Sequence, residues 1–155
     1  MEQSTVKKYE LLINDTIVLG GITLFRIKAL ISFGNVKKGE LGGYVEKEGN
    51  LCHSGNAWVY DNALVTDIAK VYGNARVSGY AKISGIARVT AIAEVSGNAE
   101  VSGNAKVTGN AKVTGNALVT GDARVSGYAE VYGYAKVTGN ALVTGDARVY
   151  RRQPK

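Results

Sequence analysis

Four basic residues, Lys70, Arg88, Lys106 and Arg124, recur at intervals of 18 residues. Long cations in a regular series neutralise phosphates or carboxylates rather than break bonds. Hydroxyl-bearing residues stand two positions beyond each of them, at Tyr72, Thr90, Thr108 and Ser126, and such groups donate readily to phosphate oxygens. The set predicts an acidic partner: a host protein, a nucleic acid or a nucleotide. A second set lies towards the C-terminus, where Tyr128, Tyr132, Tyr134 and Tyr150 accompany Leu118 and Leu142. Tyrosines with outward leucines predict an oligomer or partner interface.

Residues suited to catalysis are scarce. His53 is the one histidine and Cys52 the one cysteine. The chain therefore forms no internal disulfide, no cysteine metal cluster and no multi-histidine zinc site. It has no Ser-His-Asp set, no phosphate-binding P-loop and no carboxylate pair flanking a cleft. Neither a catalytic residue nor a metal nor a cofactor is expected.

The elements that position these residues follow from a repeat. From Ala57 to Ala147 an alanine stands at every sixth position, and from Val59 to Val149 a valine does the same, with Ile83 as the one substitute. Each of the sixteen hexads reads small, variable, branched, variable, and then usually Gly-Asn. The first four positions make a short strand with alanine and valine inward and the variable residues outward. Gly-Asn turns the chain, both residues being tolerant of positive φ. Strands so short bury nothing alone, so the hexads must stack into a solenoid, three to a triangular coil of 18 residues. At about 4.8 Å per coil the prism is roughly 25 Å tall.

Outward residues 18 apart then form columns. One reads Trp58, Arg76, Glu94, Lys112, Glu130, Arg148, with alternating charge, and a second reads Leu64, Lys82, Glu100, Leu118, Lys136. The third is Lys70, Arg88, Lys106, Arg124 and Leu142, with no acidic residue among its rungs. A hydroxyl series, Thr66, Ser84, Ser102, Thr120 and Thr138, flanks the second column, but the charges beside it spoil a flat ice-binding array.

The expected fold is all-β: a single-stranded parallel β-helix with a small N-terminal β cap. Residues 1–40 form the cap, 41–150 the solenoid and 151–155 a basic tail. Strands are predicted at Tyr9 to Leu12, Thr16 to Val18 and Leu24 to Ile31, with turns at Asn14-Asp15 and Gly20-Gly21. Counted back in sixes, the repeat places Leu41 in a valine slot, Val45 and Leu51 in alanine slots, and Lys47 and His53 where valines belong. The C-terminal end has no comparable cap, which predicts homo-oligomerisation through the last coils.

The chain has 155 residues, enough for one domain. Its 20 glycines against one proline, with 45% hydrophobic residues, exclude collagen-like and disordered chains. Its net charge of +6 favours acidic partners. The start, Met1 to Lys8, has no apolar stretch after its lysines, and no segment is long enough to span a bilayer. A cytoplasmic protein without a membrane partner is expected.

Val107-Thr108-Gly109-Asn110-Ala111-Lys112 resembles the hexapeptide repeat of left-handed parallel β-helix proteins, over about two thirds of the chain. The resemblance implies left-handed coils, a right-handed solenoid such as a bactofilin being the alternative. It implies no single reaction, since that group includes acyltransferases, carbonic anhydrase-like proteins and scaffolds. The acyltransferases use a histidine base at a subunit interface, for which His53 is the sole candidate. Leu24-Phe25-Arg26-Ile27-Lys28-Ala29-Leu30, with Gly39 to Glu46 and Asn50 to Ala63, is similar to phage- and prophage-encoded hexapeptide-repeat proteins. That similarity implies an accessory protein in the host cytoplasm. The function expected is non-enzymatic: occupation or sequestration of a host molecule, such as a defence nuclease or its nucleotide signal. A trimeric acyltransferase-like enzyme and a self-assembling structural component are the alternatives.

Overall fold

A computed structural model describes residues 7–154. Its strands are β1 (Tyr9–Leu19), β2 (Ile22–Ala29) and β3 (Leu41–Val45), followed by sixteen short strands at six-residue intervals, from β4 (Trp58–Val59) to β19 (Arg148–Arg151). Apart from a three-residue 3-10 turn at Glu48–Asn50, the described residues contain no helix. None is long and apolar enough to cross a membrane.

Every third short strand lies in the same sheet. The first face runs from β4 to β19 in six strands. The third runs from β6 (Lys70–Val71) to β18 (Leu142–Val143) in five. The second contains β5 (Leu64–Val65) to β17 (Lys136–Val137) and continues into β3, β2 and β1. Neighbours are parallel and offset by one 18-residue coil, as in Glu94 opposite Arg76 and Lys112. Backbone hydrogen bonds run from coil to coil, as from the Lys106 N–H to the Ala123 carbonyl at 3.0 Å. Alternation along each strand sends alanines and valines inward, and from Ala57 to Val131 both columns are fully buried.

The corners differ from expectation in one respect: glycine alone of the Gly-Asn pair takes the left-handed conformation. At Gly103 (φ +64°) an added Cβ would also lie 3.0 Å from the Gly121 nitrogen in the next coil. Three non-glycine residues in this slot, Asp61, Asp67 and Ala91, have φ of 57°, and the carboxylates of Asp61 and Asp67 accept hydrogen bonds from the Gly79 and Gly85 amides at 3.0 and 2.9 Å.

The first coil departs from the counted register. Val45 lies opposite Val65 and Leu51 opposite Val71, an offset of 20 residues rather than 18. Val45 and Leu51 thus occupy valine slots, not alanine slots, and Lys47 and His53 are not in valine positions. The two extra residues lie between Leu51 and Gly55, because the Gly55 corner already stacks on Gly73 with the regular offset. Asn50 closes this coil from a fully buried position. Its side-chain amide donates to the carbonyls of Asp67 and Ala69 at 3.1 and 2.9 Å, and its oxygen accepts from the Glu46 and Lys47 amides.

The cap is an antiparallel hairpin turned at Gly20-Gly21. Its first strand continues through Asn14-Asp15 with a register shift instead of the expected turn. Arg26 explains this continuity: it binds Asp15 at 3.0 Å, the Gly42 carbonyl at 2.7 Å and the Tyr44 hydroxyl at 2.7 Å. β2 pairs antiparallel with β3, which pairs parallel with β5 at Tyr44 and Val45. Trp58 heads an outward column yet is buried, with Phe33 and Tyr9 packed edge-on against it. At the opposite end Ala141 and Ala147 are exposed and Val149 is half-buried.

Candidate functional site

The third face brings Lys70, Arg88, Lys106 and Arg124 together as direct neighbours on four successive strands, with Leu142 on the fifth. Among the described residues none of the four forms an ion pair. The first face does pair its charges, with Arg76 3.6 Å from Glu94 and Arg148 3.8 Å from Glu130. The hydroxyl-bearing residues Tyr72, Thr90, Thr108 and Ser126 border the stripe, half-buried.

The other border was not foreseen. Ile68, Ile86, Asn104 and Asp122 line it, forming a shallow groove with the cations. Ile68 and Ile86 are exposed, which gives the groove an apolar ledge. Asp122 accepts a hydrogen bond from the Asn104 amide at 3.0 Å. The signal was available in Gly121-Asp122, where aspartate replaces the asparagine of the turn two residues before Arg124.

The upper end of the stripe opens into a second concavity, where Lys70, Arg88 and Tyr72 meet Glu48, Cys52 and His53. His53 belongs to the irregular segment of the first coil. Its Nδ1 accepts the Lys8 backbone N–H at 3.0 Å, its ring stacks on Tyr9 at 4.3 Å, and its Nε2 lies 3.9 Å from the Glu48 carboxylate. Burial lowers the His53 pKa, against the opposing pull of Glu48. The Lys8 bond places the ring proton on Nε2. Neither nitrogen then offers a free lone pair to a substrate. Cys52 is exposed, with Sγ 3.1 Å from the Ser54 hydroxyl. That hydrogen bond holds its thiol below the ordinary pKa.

The tyrosine set does not assemble into one patch. Tyr132 and Tyr150 stack with ring centres 4.9 Å apart, and Tyr134 shares their corner. Tyr134 also lines a groove with Leu118, Arg151 and Pro154. Tyr128 lies at another corner beside Ile92, and Leu142 is on the third face. Their separation follows from the triangular section, since each step of six residues moves a side chain to a new side.

Residues 69–85 match the family model described as YdcK Beta solenoid repeat. The chain is a β-solenoid repeat protein. The matched segment carries the first cation of this β-solenoid's basic stripe, Lys70 within β6, and ends before Arg88, the next in the column. No curated protein matches the chain. Among the described residues no group of three or more His, Cys, Asp or Glu side chains is placed to hold a metal ion.

Proposed function

We propose that this β-solenoid is a non-enzymatic binding protein that holds an acidic partner against Lys70, Arg88, Lys106 and Arg124. The observation that carries this reading is the in-register column of four cations without an ion pair among the described residues, beside a first face that alternates and pairs its charges. At the strand spacing of about 4.8 Å, neighbouring like charges repel by about 1 kcal/mol in water. An anionic partner removes that repulsion. The sequence resemblance of residues 24–30, 39–46 and 50–63 to phage- and prophage-encoded proteins suggests the setting: an accessory factor in the host cytoplasm that occupies a defence nuclease or its nucleotide signal. The occupation of the His53 Nδ1 lone pair by the Lys8 backbone N–H favours binding over acyl transfer.

The test is an affinity pull-down from host lysate, with and without nuclease treatment, comparing the wild type with a variant carrying glutamate at all four positions. A protein, nucleic acid or nucleotide lost from the variant supports the reading and names the target. Retention that is unchanged, with the same salt dependence, refutes it.

The open last coil favours a second reading, end-to-end self-assembly, because Ala141 and Ala147 are exposed where earlier alanines are buried. Concentration-dependent filaments would establish that role.

A further inference from the structure

We propose that the concavity at the head of the basic stripe binds a free nucleoside phosphate, its phosphates on Lys70 and Arg88 and its base against Tyr72. The proposal rests on the reading of the stripe as an anion site and assigns a ligand class to its upper end. Three observations carry it.

The first is shape. Regular coils stack flush, whereas the first coil is two residues longer, and the irregular segment stands over the third face. It borders an open concavity of about 680 Å3, within the range of roughly 300–1,000 Å3 that suits a small molecule.

The second is polarity. Lys70 and Arg88, on adjacent rungs, form the positive end. Glu48 forms another part of the wall, already neutralised in part by Lys7 at 3.3 Å. A uniformly anionic ligand is repelled at that wall. A ligand with phosphate at one end and a hydrogen-bond-donating amine at the other satisfies both, and an aminated nucleobase carrying a phosphate has that order.

The third is the platform. Tyr72 lines the concavity as the sole aromatic side chain among the hydroxyl-bearing residues beside the stripe, the later positions being Thr90, Thr108 and Ser126. Replacing a threonine by a tyrosine there adds a flat face suited to a base. The aromatic residue occurs only where the concavity is.

Cys52 borders the concavity and is exposed, so its alkylation reports occupancy. The full chain is treated with iodoacetamide, and carbamidomethylated Cys52 is quantified by mass spectrometry in the presence of ADP, pyrophosphate, adenosine or a 5′-phosphorylated oligoadenylate. ADP is expected to slow alkylation several-fold, with pyrophosphate and adenosine each far weaker at equal concentration. Tyr72→Ala and Arg88→Gln, shown to be folded by circular dichroism, should each abolish the ratio of rates with and without ADP. An unchanged rate with ADP overturns the proposal, as does equal protection by pyrophosphate. Protection by the oligoadenylate at lower concentration than ADP assigns the site to a nucleic-acid end and overturns the free-nucleotide assignment. Loss of ADP protection while the charge-dependent pull-down persists removes this pocket alone, and loss of both removes the stripe as a binding site.

Discussion

The backbone N–H of Lys8 donates to Nδ1 of His53 across 3.0 Å, joining the strand that enters the cap to the coil that breaks the repeat. Neighbouring contacts reinforce the joint. The Lys8 ammonium donates to the Ala57 carbonyl at 2.7 Å and lies 4.7 Å from the Phe33 ring centre. The Tyr9 hydroxyl is 2.6 Å from the Leu51 carbonyl and 2.8 Å from that of Glu48. Two consecutive residues of the cap thus close the first coil by satisfying backbone carbonyls that have no coil above them.

This joint makes stability rise through mildly alkaline pH. Burial pushes the Lys8 pKa down to about 8. Between about pH 8 and 10 the unfolded chain still holds that proton and the folded chain has released it, so stability increases with pH by on the order of 2 kcal/mol. Cys52, whose thiol pKa is also lowered, acts in the same direction. Burial raises the Tyr9 pKa far above the ordinary phenol value, so above about pH 10 only the unfolded phenol ionises and stability falls again. Below about pH 6.5 the lowered His53 pKa makes the unfolded state bind the extra proton, and stability falls there too. Urea midpoints across the range should show this maximum, and Lys8→Met should shrink the rise between neutral pH and pH 10.

Asn50 should be among the costliest polar side chains to remove. Its amide makes four hydrogen bonds to backbone groups of two coils from a fully buried position. Asn50→Leu leaves the Asp67 and Ala69 carbonyls and the Glu46 and Lys47 amides without it, an expected loss of about 3 kcal/mol. Thermal unfolding of the variant measures this, and a change below about 1 kcal/mol would mean that water replaces the amide.

The alanine and valine columns, the 18-residue coil and the basic stripe were all legible in the sequence because one period governs them. Burial repeats identically from Ala57 to Val131, so side-chain alternation decides each position. The first coil was not legible. Val45 and Leu51 are six residues apart, in step with the repeat, so the register error becomes apparent only when Leu51 is found opposite Val71. The two extra residues between Leu51 and Gly55 create the offset, and the segment that holds them is tied down by Lys8, 45 residues from His53, a contact no local pattern encodes. The site was legible in its cations and hydroxyls, which belong to the column and its border. Asp122 left a signal in its replacement of the turn asparagine, whereas the isoleucine ledge and the Glu48 wall come from turn segments whose facing could not be read from their spacing alone.

Ala91 holds a left-handed conformation, φ 57°, in the slot that is glycine in most hexads. Unlike Asp61 and Asp67, it has no side-chain carboxylate to offset the strain. Ala91→Gly removes about 1–2 kcal/mol of strain and adds about 0.5–1 kcal/mol of unfolded-state entropy. The expected net gain is about 0.5 kcal/mol, measured as a raised urea midpoint, whereas Gly103→Ala should destabilise because its Cβ meets the Gly121 backbone.

The basic stripe should trade stability against binding. Lys106 has Arg88 and Arg124 as its in-register neighbours. Lys106→Glu turns two repulsions into attractions and should stabilise the fold by about 0.5 kcal/mol at low salt. Added salt should stabilise the wild type and shrink that difference. The same substitution should weaken retention of an acidic partner. A variant that is more stable and binds less separates a functional column from a merely tolerated one, and a variant that binds equally well refutes the assignment of Lys106.

The last coil supplies the remaining prediction. β17, β18 and β19 are the terminal strands of the second, third and first faces, and none is followed by another coil among the described residues. Their outward edges therefore carry backbone donors and acceptors without a ladder partner, around a core in which Ala141 and Ala147 are exposed and Val149 is half-buried. A second copy meeting this end would pair those edges and cover the alanines, while Arg151 and the residues after it add positive charge that opposes the approach. Higher salt should therefore promote association. Sedimentation over a range of protein and salt concentrations should give a mass rising from that of the 16.3 kDa chain towards twice that value. Tyr132 and Tyr150 stack beside this edge, so aspartate at both positions should lower the mass at a given concentration. A single species of 16.3 kDa under every condition would show that the basic tail keeps the edge from pairing.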